Sequence, residues 1–510
     1  MTTKIVYIPL DERPCNAYFP KALAAATEFS VVTPPPEMMG NKKSPADTER
    51  IWTWLLEEAK GAVGAIVSLD TLVYGGIIPS RLHDLTDEEC RARLQRVHEL
   101  KAACPGLTLY ALNLVMRCPQ YSSSDEEPDY YGVWGRDIFR LGYITHRAKL
   151  GLATEEETKE LEEINFRLPE AVLNDYLRRR AANVRVNRLA VELAKEGMLD
   201  FLIIPQDDSA PYGWTTMDQL EIRRDMESLG AGLKVYMYPG ADEVGCTLLA
   251  RMVNRFRQCS PQIYPRFSSA QGPFVIPLYE DRVLFESVKY QVLAAGGLLC
   301  SSVTEADLVL LVNSPGETMM ESVLQHQPGA DVPMHRNLVE LVESADYLIS
   351  RARKPCIVAD VAYANGSDLQ LIRLLREKGL LFRLAGYAGW NTSSNTLGTC
   401  IAQGMMFHLY GETPEHLDFL SLRYTEDAGY CSYVRQHVKE NRLPELGMDY
   451  FSIDGQRGKV SCIIREELNR FVDRYLNDDA YRIVIDDVYM PWSRMFEVGL
   501  RTHLMPSERS

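Results

Sequence analysis

Two adjacent carboxylates, Asp207 and Asp208, follow the apolar run at 201–205 and precede Ser-Ala-Pro-Tyr-Gly. Placed at a strand end, such a pair can do general acid/base work. One carboxyl gives or takes a proton, and the other, ionised, steadies developing positive charge. The plainer reading is a helix cap, because Asp and Asn after a strand accept the first free N–H groups of the next helix. Seven other apolar runs weigh against the cap as a full account. They end on Asp11-Glu12-Arg13, on Asp70 with Tyr74 and then Arg81, on Asn113 with Arg117, on Asp242-Glu243, on Asn313, on Asp360 with Tyr363, and on Trp390-Asn391. Tyr212 follows the acid pair itself. Capping uses Ser and Thr as readily as Asp, so the excess of carboxylates and amides is informative. Carboxylates and amides bind hydroxyls, and aromatic faces stack on sugar C–H groups, which together point to a carbohydrate site.

Several chemistries lose support. The nine histidines are scattered, and none sits directly at these ends. That argues against a histidine-rich zinc site and against a Ser-His-Asp triad. No G-x-S-x-G, Walker A or G-x-G-x-x-G pattern occurs, so nucleotide cofactors are not expected. An all-oxygen Mg²⁺ or Mn²⁺ site from Asp70, Asp207, Asp242 and Asp360 stays open as an alternative, but no metal and no cofactor is assigned.

Adjacent acids cannot flank a sugar in the ordinary retaining way, because one side chain turns back when the other points in. They suit substrate-assisted hydrolysis, in which the sugar's 2-acetamido group attacks its own anomeric carbon. A run ending in Asp207-Asp208, with Trp390-Asn391 after the last run, resembles the substrate-assisted N-acetylhexosaminidase barrels. The resemblance implies that Asp207 orients the acetamido group and Asp208 is the acid/base. It makes Tyr212, Tyr363, Trp390 and Asn391 candidates for the acetamido pocket, and Asp11 and Arg13 candidates for the outer hydroxyls. Glu12, Asp70, Tyr74, Asn113, Arg117, Asp242, Glu243, Asn313 and Asp360 complete the candidate substrate-binding set. A conventional glycosidase would pair Asp207 or Asp208 with Asp242, Glu243 or Asp360. The stretches IVYIPLDERPCN, VSLDTLVYGGIIPSR, PQDDSAPYG, PGADEVG and GYAGWNTSSNTLG also resemble, over nearly the whole chain, the bacterial family called domain of unknown function 4127. That likeness implies a bacterial, soluble protein and carries no activity.

The elements that must position these residues alternate. Apolar runs at 4–10, 65–69, 107–114, 201–205, 234–239, 308–313, 356–360 and 381–387 are separated by helical patterns. Unbroken apolar runs suit strands buried on both faces, and strand–helix alternation implies an α/β fold with parallel sheets. Eight main runs favour a (β/α)8 TIM-like barrel over residues 1–411, with an insertion at 114–200 after the third strand and a C-terminal extension or small domain at 412–510. Further runs at 29–35, 262–267 and 298–302 leave two doubly wound, Rossmann-like domains as the alternative. The insertion opens with the acidic, aromatic stretch 118–139, and reads either as a lid over a site or as a surface excursion with no part in the chemistry.

With 46% apolar and 25% charged residues in 510, a sizeable core is expected. A net charge of −15 argues against nucleic acid as a partner. No apolar stretch reaches the roughly 20 residues of a membrane span. The eleven cysteines form no C-x-x-C pairs and read as reduced thiols, which fits a cytoplasmic protein. The expected function is therefore an exo-acting glycoside hydrolase on β-linked N-acetylhexosaminides, taking a small carbohydrate substrate without nucleic acid or membrane. A homo-oligomer stays open. The alternatives are a divalent-metal hydrolase or lyase of a small polar metabolite and a non-catalytic sugar-binding protein.

Overall fold

The computed structural model describes residues 3–327 and 332–507. Six strands come first: β1 (Thr3–Ile8), β2 (Phe29–Val32), β3 (Gly64–Ser68), β4 (Thr108–Leu112), β5 (Phe201–Gln206) and β6 (Val235–Pro239). They form one sheet in the order β2-β1-β3-β4-β5-β6. Each pairing from β1 to β6 is parallel. Every residue of β3, β4 and β5 is buried, which is why these strands read as continuous apolar runs.

The later strands are β7 (Gln262–Phe267), β8 (Leu298–Leu299), β9 (Leu308–Asn313), β10 (Met320–Glu321), β11 (Cys356–Asp360), β12 (Tyr363–Ala364), β13 (Gly386–Ala388), β14 (Tyr481–Tyr489) and β15 (Gly499–Pro506). Five of them make a second parallel sheet in the order β13-β11-β9-β7-β8. β10 pairs with β12, and β14 pairs antiparallel with β15.

The expected eight-stranded barrel does not form. In each sheet the second strand lies outside the first, and the third, fourth and fifth follow on the other side. That is the doubly wound order of the alternative reading. The runs at 29–35 and 262–267 decide the matter: they supply β2 at one edge of the first sheet and β7 inside the second. The run at 381–387 contributes only the short β13, preceded by a 3₁₀ turn at Leu381–Arg383.

The chain divides into two compact units. One holds Met1–Glu12, Val31–Val244 and Tyr279–Asp281, and the other holds Arg13–Ser30, Gly245–Leu278 and Arg282–Ser510. The domain boundary expected at 411 falls inside the second unit. Residues 412–507 there include the helix Pro414–Arg423, a π-helix at Tyr424–Val434, the helices Arg435–Asn441 and Lys459–Tyr475 and the β14–β15 pair.

The insertion between β4 and β5 is helical: Tyr131–Lys149, Glu155–Arg167 and Glu170–Glu196. Thr154 and Glu157 form a reciprocal capping box at the start of the second helix. Gly197, in the left-handed conformation, stops the third. Ile138, Leu141, Ile164 and Tyr176 give the insertion a core of its own. Among the described residues, no helix is long and apolar enough to cross a membrane. All eleven cysteines are free thiols.

Candidate active site

The first unit gathers its chemistry where β3, β4 and β5 end. After β3, Ser68 caps the short helix Leu69–Tyr74 through the Thr71 N–H. Gly75 ends that helix at φ 93°, where a Cβ would stand 2.7 Å from the Pro45 Cβ, so glycine is required on both counts. The chain then turns into the helix Pro79–Leu82, which buries Arg81. After β4, the segment 114–117 is pinned by the insertion's third helix. Asn183 accepts from the Met116 N–H and donates to the Leu114 carbonyl, and Arg180 donates to the carbonyls of Met116 and Arg117. Asp218 ion-pairs with Arg180 at 2.6 Å. Arg117 is thereby fixed at the mouth of the sheet.

After β5, Asp207 and Asp208 meet these two arginines. Arg81 Nη2 donates to Asp207 Oδ2 at 2.7 Å, and Arg117 Nη1 donates to Asp208 Oδ2 at 3.0 Å. The stretch 118–139 adds Glu126 and Glu127, each of which accepts from both arginines at 2.8–3.2 Å. Four carboxyls thus face two guanidinia, an excess of two negative charges when all four are ionised and of one when Asp208 holds its proton. The Arg81 and Glu127 side chains are 2% exposed, whereas Asp208 is 24% exposed. Asp208 sits at φ 41°, a left-handed turn that Asp tolerates better than most residues. Its carboxyl is pushed up to about 7, first by burial and next by the negative charge of Asp207.

Asp70 and Asn113, just after β3 and β4, are both fully buried. Asp70 Oδ2 accepts from the Leu114 N–H at 3.0 Å, and burial pushes its carboxyl up to about 7. Its other oxygen and both polar atoms of the Asn113 side chain meet no hydrogen-bond partner among the described residues. Glu12 accepts from the Lys42 N–H at 2.7 Å, and the Lys42 ammonium pairs with Asp125 of the acidic stretch.

The loop from Asp208 to Gly213 is tied to the insertion. The Gly213 N–H donates to His146 Nδ1, and Trp214 Nε1 donates to the Ile138 carbonyl. Gly142 packs directly on Trp214: a Cβ there would lie 2.3 Å from the indole Cδ1. Gly142→Ala is therefore expected to destabilise the first unit by about 1–3 kcal/mol through overpacking, read as a lower urea midpoint for the transition that exposes Trp214.

The remaining candidates separate by unit. Asp11, Asp242 and Glu243 are buried in the first unit, and Glu243 Oε2 accepts from the Ala241 N–H. Tyr74 is buried and stacked on His83 at 4.5 Å, so its ring offers no face to a sugar. Tyr212 is half-buried, with the Arg147 guanidinium 5.2 Å from its ring centroid and Tyr143 edge-on. Arg13, Asn313, Asp360, Tyr363, Trp390 and Asn391 belong to the second unit. Arg13 lies over Trp492, and Asn313 donates to Asp360. The Asp360 carboxyl is pushed up to about 7 by burial and by the charge of Asp368. Trp390 is 7% exposed and packed against Phe19 and Arg423, as a core ring is. Asn391 adopts φ 51°, and its carbonyl accepts from the Asn365 N–H.

Sequence reasoning reached the acid pair and Arg117 but gave no role to Arg81, Glu126, Glu127 or Arg180. Arg81 was visible as a strand-end residue. The run Asp125-Glu126-Glu127 was visible only as acidity, and a count of nearby arginines would have suggested partners for it. Among the described residues, no group of three or more His, Cys, Asp or Glu side chains is placed to hold a metal ion.

The chain belongs to the family described as "Protein of unknown function (DUF4127)", whose family model matches residues 5–501. No curated protein matches it.

Proposed function

We propose that the chain is a glycoside hydrolase, with Asp208 as general acid/base, Asp207 as its charged partner and β-linked N-acetylhexosaminides as substrates. The observation that supports it is the unequal setting of the two adjacent carboxyls. Asp207 is held by Arg81 at 2.7 Å, while Asp208, held by Arg117 at 3.0 Å, keeps part of its surface open, and burial and the charge of Asp207 push its carboxyl up to about 7. A carboxyl that titrates near neutrality can carry a proton to a leaving group and then take one from water.

On this reading the acetamido oxygen bonds to the anomeric carbon while the glycosidic C–O bond breaks. Asp208 gives its proton to the departing oxygen. Asp207 accepts a hydrogen bond from the acetamido N–H as that group gains positive charge. Asp208 then takes a proton from water, which opens the cyclic intermediate. Arg81 and Arg117 fix both carboxyls in place, and Glu126 and Glu127 of the insertion hold the two guanidinia. The same reading makes the protein a cytoplasmic enzyme acting on small carbohydrates.

Assays with 4-nitrophenyl N-acetyl-β-glucosaminide, its galacto epimer and the plain β-glucoside test it. Release from an acetamido sugar but not from the glucoside is expected. Turnover of neither acetamido sugar would overturn the proposal.

A further inference from the structure

The second unit contains a cavity of about 1050 Å³ that the proposed hydrolysis does not use. It lies against the carboxyl ends of the second sheet. Ser268, which follows β7, lines it, as do Tyr363 and Asp368 after β11. A polar chain links these ends: Ser268 Oγ donates to Asn313 Oδ1 at the end of β9, and Asn313 Nδ2 donates to Asp360 at 2.8 Å and to Asp368 at 3.3 Å. The order β13-β11-β9-β7-β8 reverses between β7 and β9. Ligands of doubly wound sheets bind in the crevice at such a reversal.

The wall has two chemical characters. On the polar part, the Arg336 side chain is 6% exposed, and its Nη2 donates to Asp368 Oδ2 at 2.7 Å. Its guanidinium carbon stands 5.5 Å from the Tyr363 ring centroid. Two helix starts also line the cavity: Leu338–Ser350, capped by Asn337, and Leu369–Glu377, capped by Asp368. Helix N-termini carry positive potential, and Arg376, which donates to the Asn477 carbonyl, adds to it, while Arg373 is paired with Glu377. On the apolar part, Tyr433, Phe471 and Tyr475 cluster with ring centroids 4.9–6.1 Å apart.

We infer that this cavity is a second ligand site, for a small anion whose phosphate or carboxylate is carried on a ring. The acid group takes the remaining N–H groups of Arg336, whose planar fork suits two acid oxygens. Asp368 holds that fork in orientation. The ring packs on the aromatic cluster, which a bare inorganic anion cannot exploit.

Titration calorimetry on the full chain tests this with phenyl phosphate, benzoate, glucose 6-phosphate, inorganic phosphate and neutral phenyl β-glucoside. At least one ring-borne acid should bind tenfold or more tighter than both inorganic phosphate and the neutral glucoside. The tightest probe tells phosphate from carboxylate. Arg336→Gln should weaken that probe at least tenfold, with Arg336→Lys falling between. Tyr433→Ala, at a partly exposed ring, should weaken the ring-borne acid and leave inorganic phosphate unchanged. No binding by any acid-bearing probe, equal binding of the neutral glucoside, or unchanged affinity in both Arg336→Gln and Tyr433→Ala would overturn the inference.

Discussion

Replacing Asp208 with Asn lowers turnover of an aryl N-acetyl-β-hexosaminide by about 10²–10⁴-fold, the usual contribution of a general acid/base. The same change makes the protein relatively more stable at pH 8 than at pH 5. The sign follows from the carboxyl's setting. Its value rises from 3.8 to about 7 on folding, so the folded protein binds this proton more tightly than the unfolded chain does. Its favourable contribution is full below about pH 4 and is lost as pH rises through about 7. Asn carries no titrating proton and does not suffer that loss. The thermal midpoint of Asp208→Asn minus that of the wild type should therefore climb between pH 5 and pH 8. A difference is the right quantity, because the buried carboxyls of Asp70, Asp360 and Asp427 are also raised and tilt the wild-type curve the same way. A flat difference across that range would show that Asp208 does not titrate as described. Undiminished turnover would remove it from the mechanism.

Arg81→Ala should cost the first unit about 3–5 kcal/mol, the scale for removing one partner from a buried ion cluster. Arg81 Nη2 serves Asp207, and Nη1 reaches both Glu126 and Glu127. Without it, four carboxylates share the single guanidinium of Arg117, and Glu127 stays almost fully buried. Arg81→Lys should recover part of the loss, since an ammonium restores charge but not the fork that reaches three acids at once. Added salt should rescue little, because buried pairs are screened far less than surface ones. A chain of two units need not melt in one step, so the proper readout is hydrogen exchange at the amides of β3, β4 and β5. Protection there should fall sharply in Arg81→Ala. A loss under about 1 kcal/mol would mean that the cluster relaxes around the gap or takes in water.

The strands were legible and their neighbours were not. The runs at 107–114 and 201–205 became β4 and β5 within two residues, and the insertion begins and ends where the apolar pattern stops. An apolar run shows that a strand is covered on both faces, but it does not say which strand lies beside it. β7, with Tyr264, Pro265 and Arg266 half-buried, looked like a marginal strand and proved to be internal to the second sheet. The acid pair could be found because it ends a strand. Its partners could not, because Glu126 and Glu127 reach Arg81 from across 45 and 46 residues, through a loop whose path no local pattern encodes. Trp390 shows the opposite failure. An aromatic ring at a strand end looks the same in sequence whether it faces a ligand or, as here, Phe19 and Arg423.

The cluster also has a history written into its numbering. Arg81, Arg117, Glu126 and Glu127 leave the ribosome first, and among themselves they are electrically neutral. Asp207 follows Glu127 by 80 residues, about 4–16 s later at ordinary rates of synthesis. The acid pair is thus the last part of the cluster to be made, and when ionised it brings the whole negative surplus with it. A message cut short near codon 200 would encode two cations and two anions of the cluster but neither carboxyl of the pair, nor β5, which carries them.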